Sequence, residues 1–409
     1  MCVADRGAQS HDPAQDGDAV LTIPNLRRDR NGTLRLMSWW RQDRMEAARV
    51  MVVGAGALGN EVIKNLTLMG IGRMLIVDRD EVEMANLSRS VLFRESDEGR
   101  RKVQVASARV REMNPSVRTM ALHGDVTSDV GLGVFRRMDV VVGCLDSRVA
   151  RLAVNNACWL ANVPWVDGAI QEMFGEVRVF APGRGACYAC TLTDMDWRIL
   201  REAQPCKGMA LGNVLEGKVP TTPTISSIIA GIQSQEALKF IHGMANQTGK
   251  AFVFRGLTME GDLLDLYEKL DCQSHYTLPE IVELPDVTAS NTTFRQLLDI
   301  VRGRLGDGAH LRFREREIVT RLECPRCGGS EAVGLIEQKV TVERLPCPAC
   351  GHEMREPETT HVFTGGEPFA DTTLAAAGIP PLDIIEGQSL RGAVGFELTG
   401  DLAEALRFE

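Results

Sequence analysis

The sequence lacks any apolar run long enough to cross a membrane. Every hydrophobic stretch is shorter than the about 18 residues that a spanning helix needs. Residues 1–32 are polar and contain no apolar segment of the kind that signal peptides carry. We therefore expect a cytoplasmic protein.

A positive overall charge is also missing. The 46 Lys and Arg residues and 55 Asp and Glu residues give a formal net charge of -9. Proteins whose main partner is nucleic acid usually carry a basic surface, so this balance argues against DNA or RNA. The sequence contains no internal repeat or low-complexity tract. Hydrophobic residues make up 44% of it and charged residues 25%, which is typical of a globular protein.

The length predicts two domains, because 409 residues exceed what one hydrophobic core usually organises. Residues 1–33 have little periodic apolar pattern and are interpreted as a flexible arm. We expect a main domain over 34–275 and a smaller α+β domain over 276–409. The boundary lies where Pro-containing extended segments replace the regular pattern.

Strands and helices alternate in the main domain. Unbroken apolar runs predict buried strands, and apolar residues at helical spacing predict helices between them. This alternation predicts an α/β fold with a doubly wound, mostly parallel, Rossmann-like sheet. The predicted strands are 50–53, 74–77, 139–143, 177–181 and 251–256, and the predicted helices are 36–48, 60–69, 102–113, 225–242 and 293–304.

A glycine-rich loop follows the first predicted strand. Gly54, Gly56 and Gly59 permit a tight turn and a close approach of the backbone to phosphate, next to a helix N-terminus. Asp78 ends the second strand, where a carboxylate can accept hydrogen bonds from ribose hydroxyls. These features alone would fit a dehydrogenase equally well.

Polar residues farther along favour ATP over a dinucleotide. Arg89 and Lys102 supply two cations, which a triphosphate needs and a dinucleotide does not. Asp146 follows the strand at 139–143, near the expected switch point of the sheet, and is well placed to hold Mg²⁺ against the phosphates. The alternative is a dehydrogenase-type domain with incidental charges.

Six of the eleven cysteines fall in three Cys-x-x-Cys pairs. Without an export signal, this spacing favours zinc over disulfides. Cys324, Cys327, Cys347 and Cys350 have the spacing of a structural zinc ribbon within 322–352, close to His352, which is unnecessary if all four thiolates bind. Cys187 and Cys190 need two further ligands, and we predict a second structural zinc site completed by Cys272 and His275. In the alternative, Cys206 is a ligand and His275 lies at the surface.

Taken together, the glycine loop and the charged residues resemble the ubiquitin-activating and MoeB/ThiF superfamily over residues 34–275. The shared motifs are GxGxxG, DxDxxxxxNLxRQ, the lysine of GxxK and an aspartate after the fourth strand. Ser90 departs from the pattern, since the superfamily usually has Gln there. The resemblance implies that Asp78 binds the ribose of ATP and that Asn86, Arg89 and Lys102 bind its phosphates. It also implies that Asp80 is a further nucleotide-binding residue and that Asp146 binds magnesium.

The resemblance also implies residues for transfer and dimerisation. Cys206, in a crossover loop over 191–220, has the context of the cysteine that accepts the acyl group, and Lys207 would lower its thiol pKa. A spare thiol or a zinc ligand remains the alternative reading of Cys206. An arginine lent across a homodimer is assigned to Arg35, with Arg30, Arg41 and Arg44 as alternatives.

Stand-alone bacterial activating enzymes of Bil-type conjugation operons are the subgroup that the chain resembles most. This implies adenylation of the C-terminal glycine of a ubiquitin-like protein, thioester transfer to Cys206 and hand-off to a conjugating enzyme recruited by a divergent β-grasp-like domain. A sulfur-carrier adenylyltransferase without a thioester step is the first alternative. A non-enzymatic adaptor that kept the fold is the second.

Overall fold

The structure is a computed structural model that describes residues 28–202 and 220–409. Cys206 and Lys207 lie outside the described residues. No helix among those ranges combines the length and apolarity that crossing a bilayer requires.

Residues 28–42 belong to a unit of their own. A 3₁₀ turn covers Leu34–Leu36 and ends at Met37, whose backbone is extended with ψ 125°. The Trp40 indole N–H donates to Gln42 Oε1 over 3.0 Å. The prediction of one helix over 36–48 is wrong, because the extended backbone at Met37 interrupts it. Helical backbone resumes only in α1, Gln42–Ala47.

An eight-stranded sheet forms the centre of the second unit, which covers residues 43–409. Its strands are β1 Arg49–Val53, β2 Arg73–Asp78, β3 Arg118–His123, β4 Val140–Gly143, β5 Trp165–Gln171, β6 Phe174–Phe180, β7 Lys250–Arg255 and β8 Glu260–Asp265. The order is β3-β2-β1-β4-β5-β6-β7-β8. Neighbours from β3 to β5 pair in parallel, and those from β5 to β8 pair antiparallel. The predicted doubly wound, mostly parallel sheet is confirmed.

Helices connect and cover these strands. They are α2 Ala57–Leu68, α3 Lys102–Met113, α4 Leu132–Arg136, α5 Arg148–Leu160, α6 Tyr188–Thr191, α7 Asp194–Glu202 and α8 Pro223–His242. The helix α2 contacts α3 and α8, whereas α5 contacts α4 and α6. Strand order reverses direction at β1, so right-handed crossovers place these two groups on opposite faces of the sheet. All four residues of β4 are buried, as its apolar run predicts.

A five-stranded mixed sheet follows in the order β14-β10-β15-β16-β9. The helix α9, Phe294–Leu305, packs on it through β10 and β15. Its core includes the rings of Phe294 and Phe369, whose centroids lie 5.0 Å apart. The strands are β9 Ile281–Glu283, β10 His310–Arg312, β14 Val362–Phe363, β15 Ile384–Ser389 and β16 Gly392–Glu397.

A three-stranded antiparallel sheet is inserted between β10 and β14. It consists of β11 Ile318–Glu323, β12 Ser330–Ile336 and β13 Glu356–Thr360, in the order β12-β11-β13. Four cysteines lie in the turns next to these strands. Short 3₁₀ turns occur at Met84–Asn86, Glu95–Asp97, Glu337–Lys339, Val342–Arg344 and Thr399–Asp401, and a last helix, α10, covers Leu402–Ala405.

Charged residues join the five-stranded sheet to α4. The Glu397 carboxylate, which is fully buried, accepts hydrogen bonds from Arg136 and Arg137. Backbone contact is just as close, since the Gly133 N–H donates to the Leu382 carbonyl over 3.0 Å. A Cβ on Gly133 would lie 2.5 Å from the Leu382 carbonyl oxygen, so only glycine allows this approach. The domain boundary near residue 276 stays a prediction.

Candidate nucleotide site and metal centres

The glycine loop lies between β1 and α2. Gly54 has φ +94°, and a Cβ on it would lie 2.3 Å from the Cys144 carbonyl oxygen. A Cβ on Gly59 would lie 1.9 Å from the Gly54 oxygen. Close packing of the chain on itself therefore requires both glycines. A Cβ on Gly56, which caps α2, would meet no atom within 4 Å, so the space before the helix N-terminus is open to a ligand.

Asn60 holds this loop, although the sequence pattern did not single it out. Its buried amide donates to the Ala55 carbonyl over 2.7 Å and to the Gly56 carbonyl over 3.0 Å. Its oxygen accepts from the Leu92 N–H over 2.9 Å. The glycine loop is thereby fixed to the segment that follows Arg89. An amide residue in the first turn of an otherwise apolar helix could have indicated this role from the sequence, because a buried amide needs hydrogen-bond partners.

Asp78, Asp80 and Lys102 form a connected group at the end of β2. Asp78 accepts from the Ala55 N–H over 2.6 Å and from the Asp80 N–H over 2.8 Å. Burial raises the pKa of Asp78, while the Lys102 charge and those two N–H groups oppose the rise. Lys102 Nζ lies 2.7 Å from Asp80 Oδ2. The structure thus joins the predicted ribose carboxylate to the predicted phosphate lysine through Asp80.

Asn86 and Arg89 lie in the turn between β2 and α3. The buried Asn86 accepts from the Glu83 N–H over 3.0 Å and so caps the turn Met84–Asn86. Arg89 donates to the Ala85 carbonyl over 2.8 Å. Both side chains have local structural partners, and their contact with phosphate stays a prediction.

Asp146 is exposed in the turn between β4 and α5. Arg151, one turn into α5, donates to the carbonyls of Leu145 and Gly168, the second over 3.1 Å. Its Nε also lies 3.1 Å from Asp167 Oδ1. Arg151 therefore ties the turn that carries Asp146 to β5, a role that the sequence pattern did not indicate.

Asp167 anchors this group from β5. It is 1% exposed, and Arg178 lies 3.7 Å from its second oxygen. Burial raises the pKa of Asp167, and the charges of Arg151 and Arg178 counteract that rise. Gln233 of α8 donates to the Gly143 carbonyl over 2.8 Å and so fixes the end of β4. Buried polar contacts on both sides thus hold the turn that carries Asp146.

Four predicted metal ligands meet beyond β6. The ligand atoms of Cys187, Cys190, Cys272 and His275 all lie within 4.8 Å of one another. His275 Nε2 is 3.3 Å from Cys190 Sγ, and its Nδ1 is 3.1 Å from Glu268. A carboxylate on the second ring nitrogen is the usual support of a metal-bound histidine. Trp159 stacks on the ring at 4.2 Å, so His275 does not lie free at the surface.

The second cysteine cluster lies at one end of the three-stranded sheet. The sulfurs of Cys324, Cys327, Cys347 and Cys350 also lie within 4.8 Å of one another. Tetrahedral zinc with bonds of about 2.3 Å requires sulfurs about 3.8 Å apart, and the pairs Cys324–Cys350 and Cys327–Cys347 are separated by 3.6 and 3.7 Å. Backbone N–H groups of Cys350 and Ala349 lower the pKa of Cys347 to about 6. Both clusters could hold zinc.

Arg35 lies in the unit of residues 28–42, where its Nε is 3.6 Å from Asp29. Of its alternatives, Arg44 donates to the His242 carbonyl. The assignment of Arg35 to a shared site stays a prediction. Cys206 is outside the described residues, so its role also stays a prediction.

Residues 28–274, more than half of the chain, match the sequence model of the ThiF family. The chain therefore belongs to the ThiF family. The sulfur carrier protein adenylyltransferase of Thermus thermophilus is 32% identical over 263 residues, covering 63% of this chain and 88% of that protein. The adenylyltransferase and sulfurtransferase MOCS3 of Sus scrofa is 31% identical, covering 60% of this chain and 52% of its own length.

Ubiquitin-like modifier-activating enzyme 5 of Rattus norvegicus is 29% identical, covering 52% of this chain and 56% of that protein. The chain thus spans about half the length of MOCS3 and of this enzyme. Among solved structures, E. coli MccB with succinimide has a TM-score of 0.50 and 24% identity, covering 60% of this chain and 74% of that one. That likeness shows the fold alone.

Replacing Asp167 with Ala should destabilise the protein strongly. The change leaves the buried Arg151 guanidinium without its carboxylate, and such a loss typically costs about 3–5 kcal/mol. Urea unfolding measures the effect. Asp262→Ala is the control, because its exposed pair with Arg255 should leave stability unchanged within error. Equal small effects of the two variants would contradict the structural role of Asp167.

Replacing Gly56 with Val should lower stability by no more than about 1 kcal/mol, because valine is a poorer helix cap than glycine, but should weaken ATP binding. A Cβ at this position has no protein atom within 4 Å, so the valine side chain extends into the space before α2. We therefore expect the affinity for ATP to fall at least about tenfold, or about 1.4 kcal/mol. Calorimetric titration with Mg-ATP and a thermal melt measure both properties. Gly303→Val on α9, also without neighbours within 4 Å, is the control. Unchanged ATP affinity in Gly56→Val would show that ATP does not occupy the space before α2.

Proposed function

We propose that the protein adenylates the C-terminal glycine of a ubiquitin-like protein with ATP. The observation that carries this proposal is the joined group of Asp78, Asp80 and Lys102 beside an open helix N-terminus, in a chain of the ThiF family. The open space at Gly56 suits a phosphate, and Asp78 suits a ribose. Relatives named for activating sulfur carriers and ubiquitin-like modifiers support an adenylyltransferase.

In the proposed reaction, an oxygen of the glycine carboxylate attacks the α-phosphorus of ATP. The bond from that phosphorus to the bridging oxygen breaks, and pyrophosphate leaves with the electron pair. No general base is required, because the carboxylate is already ionised. Lys102 and Arg89 would stabilise the charge that builds on the leaving group. Mg²⁺ bound at Asp146 would neutralise phosphate charge when present.

The second proposed step moves the acyl group to Cys206. The thiolate attacks the acyl carbon, a thioester forms, and AMP leaves with the electrons of the broken acyl–phosphate bond. A conjugating enzyme would then accept the acyl group, recruited by the region from residue 276 onward. We further propose a homodimer in which Arg35 completes the site of the other subunit, in a cytoplasmic protein.

The second candidate is a sulfur-carrier adenylyltransferase without a thioester step. The specific observation that favours it is the Thermus thermophilus sulfur carrier protein adenylyltransferase, of which this chain covers 88%. In this case sulfide from another donor, rather than Cys206, would receive the acyl group.

We also propose that both cysteine clusters bind structural zinc. Four protein ligands leave zinc no open position, which excludes a catalytic role for a fully ligated ion. The first site would join the end of β6 to residues 272–275. The second would stabilise the three-stranded sheet, whose own apolar cluster of buried residues is small.

Incubation with Mg-ATP and a ubiquitin-like protein that ends in glycine should give a covalent adduct of the two proteins. The adduct should be cleaved by dithiothreitol, because a thioester exchanges with thiols. Intact mass spectrometry measures it on the wild type, on Cys206→Ser and on the control Cys144→Ser, whose thiol is held protonated by a burial-raised pKa.

The proposal requires the adduct on the wild type and Cys144→Ser but not on Cys206→Ser. ATP–pyrophosphate exchange should persist in Cys206→Ser. ATP–pyrophosphate exchange without any adduct on the wild type would favour the sulfur-carrier function. Absence of exchange on the wild type would contradict adenylation itself.

Native mass spectrometry should find two zinc ions per chain. Replacing His275 with Ala should remove one ion, and replacing Cys324 with Ser should remove the other, since each change leaves three ligands. His310→Ala is the control, because this histidine lies in β10 and belongs to neither cluster. If His275→Ala still binds two zinc ions, another residue completes the first site and the alternative assignment is correct.

A further inference from the structure

A cavity of about 370 Å³ lies between the helical side of the large sheet and the five-stranded sheet. Pockets for small ligands usually have volumes of about 300–1,000 Å³. None of the residues assigned above to ATP, Mg²⁺ or zinc lines this cavity. It is therefore not accounted for by the proposed function.

One wall of the cavity is apolar. It is formed by α5 with Val149 and Leu152, by α7 with Trp197 and Leu200, and by Phe135 of α4. Val149 is 42% exposed, so apolar surface is open to an occupant. Burial of this surface by a hydrocarbon chain or ring would be favourable by about 25 cal/mol per Å².

The opposite wall is charged, and two of its cations already have partners. Arg314 binds Glu386 through two contacts of 2.6 and 3.2 Å. Arg316 lies 2.8 Å from Asp383. Neither guanidinium is therefore available as the main partner of an anionic ligand.

Glu315 lies between these arginines and faces the cavity. Its carboxylate accepts a hydrogen bond from the Asn156 amide over 2.8 Å. Among residues 28–202 and 220–409 it takes part in no ion pair within 4.0 Å. Its side chain is exposed at the cavity. Desolvation raises the pKa of Glu315, while the hydrogen bond from Asn156 and the charges of Arg316 and Arg314 oppose the rise. A carboxylate in such a place attracts a cation.

Carboxylates outnumber guanidiniums among the charged residues of the lining. Glu317 and Glu337 add two more carboxylates, so the wall carries five carboxylates and three guanidiniums. Arg312, the third cation, donates to Gln388 over 3.3 Å. The cavity thus combines an apolar wall with a surplus of negative charge.

We propose that this cavity binds a small amphipathic cation: an apolar chain or ring that ends in an amine or guanidinium. The apolar part lies against Leu152 and Trp197, and the cationic end pairs with Glu315. The binding is independent of the adenylation chemistry.

Calorimetric titration of the full chain with 2-phenylethylamine tests this proposal. The amine should bind, whereas 3-phenylpropanoate, of similar shape but opposite charge, should not. Glu315→Gln should weaken amine binding at least about tenfold, because a charged hydrogen bond is lost. Glu356→Gln, an exposed glutamate of β13 outside the cavity, is the control.

A second variant, Ala157→Phe, fills the cavity from α5 and should abolish amine binding while a thermal melt verifies folding. Equal binding of the amine and the carboxylate would overturn the proposal. So would absence of amine binding at 10 mM, unchanged affinity in Glu315→Gln, or displacement of the amine by Mg-ATP, which would make the cavity part of the nucleotide site.

Discussion

The contact between the ends of β1 and β4 is the constraint on which the candidate site depends. Gly54 lies so close to the Cys144 carbonyl that no side chain fits between them, and Gly59 packs equally closely on Gly54. This contact sets the direction of α2 and places the Ala55 N–H where Asp78 accepts it. It also brings the turn that carries Asp146 next to the glycine loop. Glycine at these two positions allows the end of β1, the end of β4 and the start of α2 to pack this closely.

Around this contact, buried polar groups hold the loops that carry the predicted site residues. Asn60, Arg151 and Asp167 are buried, and each makes hydrogen bonds to the backbone or to another member of the group. Asp146 and Asp80 are exposed. A buried, hydrogen-bonded network holds its shape in the absence of a ligand, which is the form of preorganisation that phosphate chemistry requires.

Motifs with short spacing were predictable, and contacts between distant elements were not. The glycine loop, the Cys-x-x-Cys pairs and the apolar strands can each be recognised from a few consecutive residues. The helix expected over 36–48 failed because helical spacing of apolar residues does not reveal an extended residue such as Met37. The pairing of Arg151 with Asp167 was missed because each residue, taken alone, resembles any surface charge.

Local signals in the sequence are enough to predict the α/β class, the glycine loop and the Cys-x-x-Cys pairs, because each rests on periodicity or on residue types at close spacing. The folded chain was needed to choose Cys272 and His275 over the alternative as the partners of Cys187 and Cys190, and to show that Lys102 pairs with Asp80 and that Glu315 lines a cavity. These arrangements depend on how strands and helices pack across many intervening residues. Such packing depends on contacts between distant parts of the chain, so it cannot be read from any single segment.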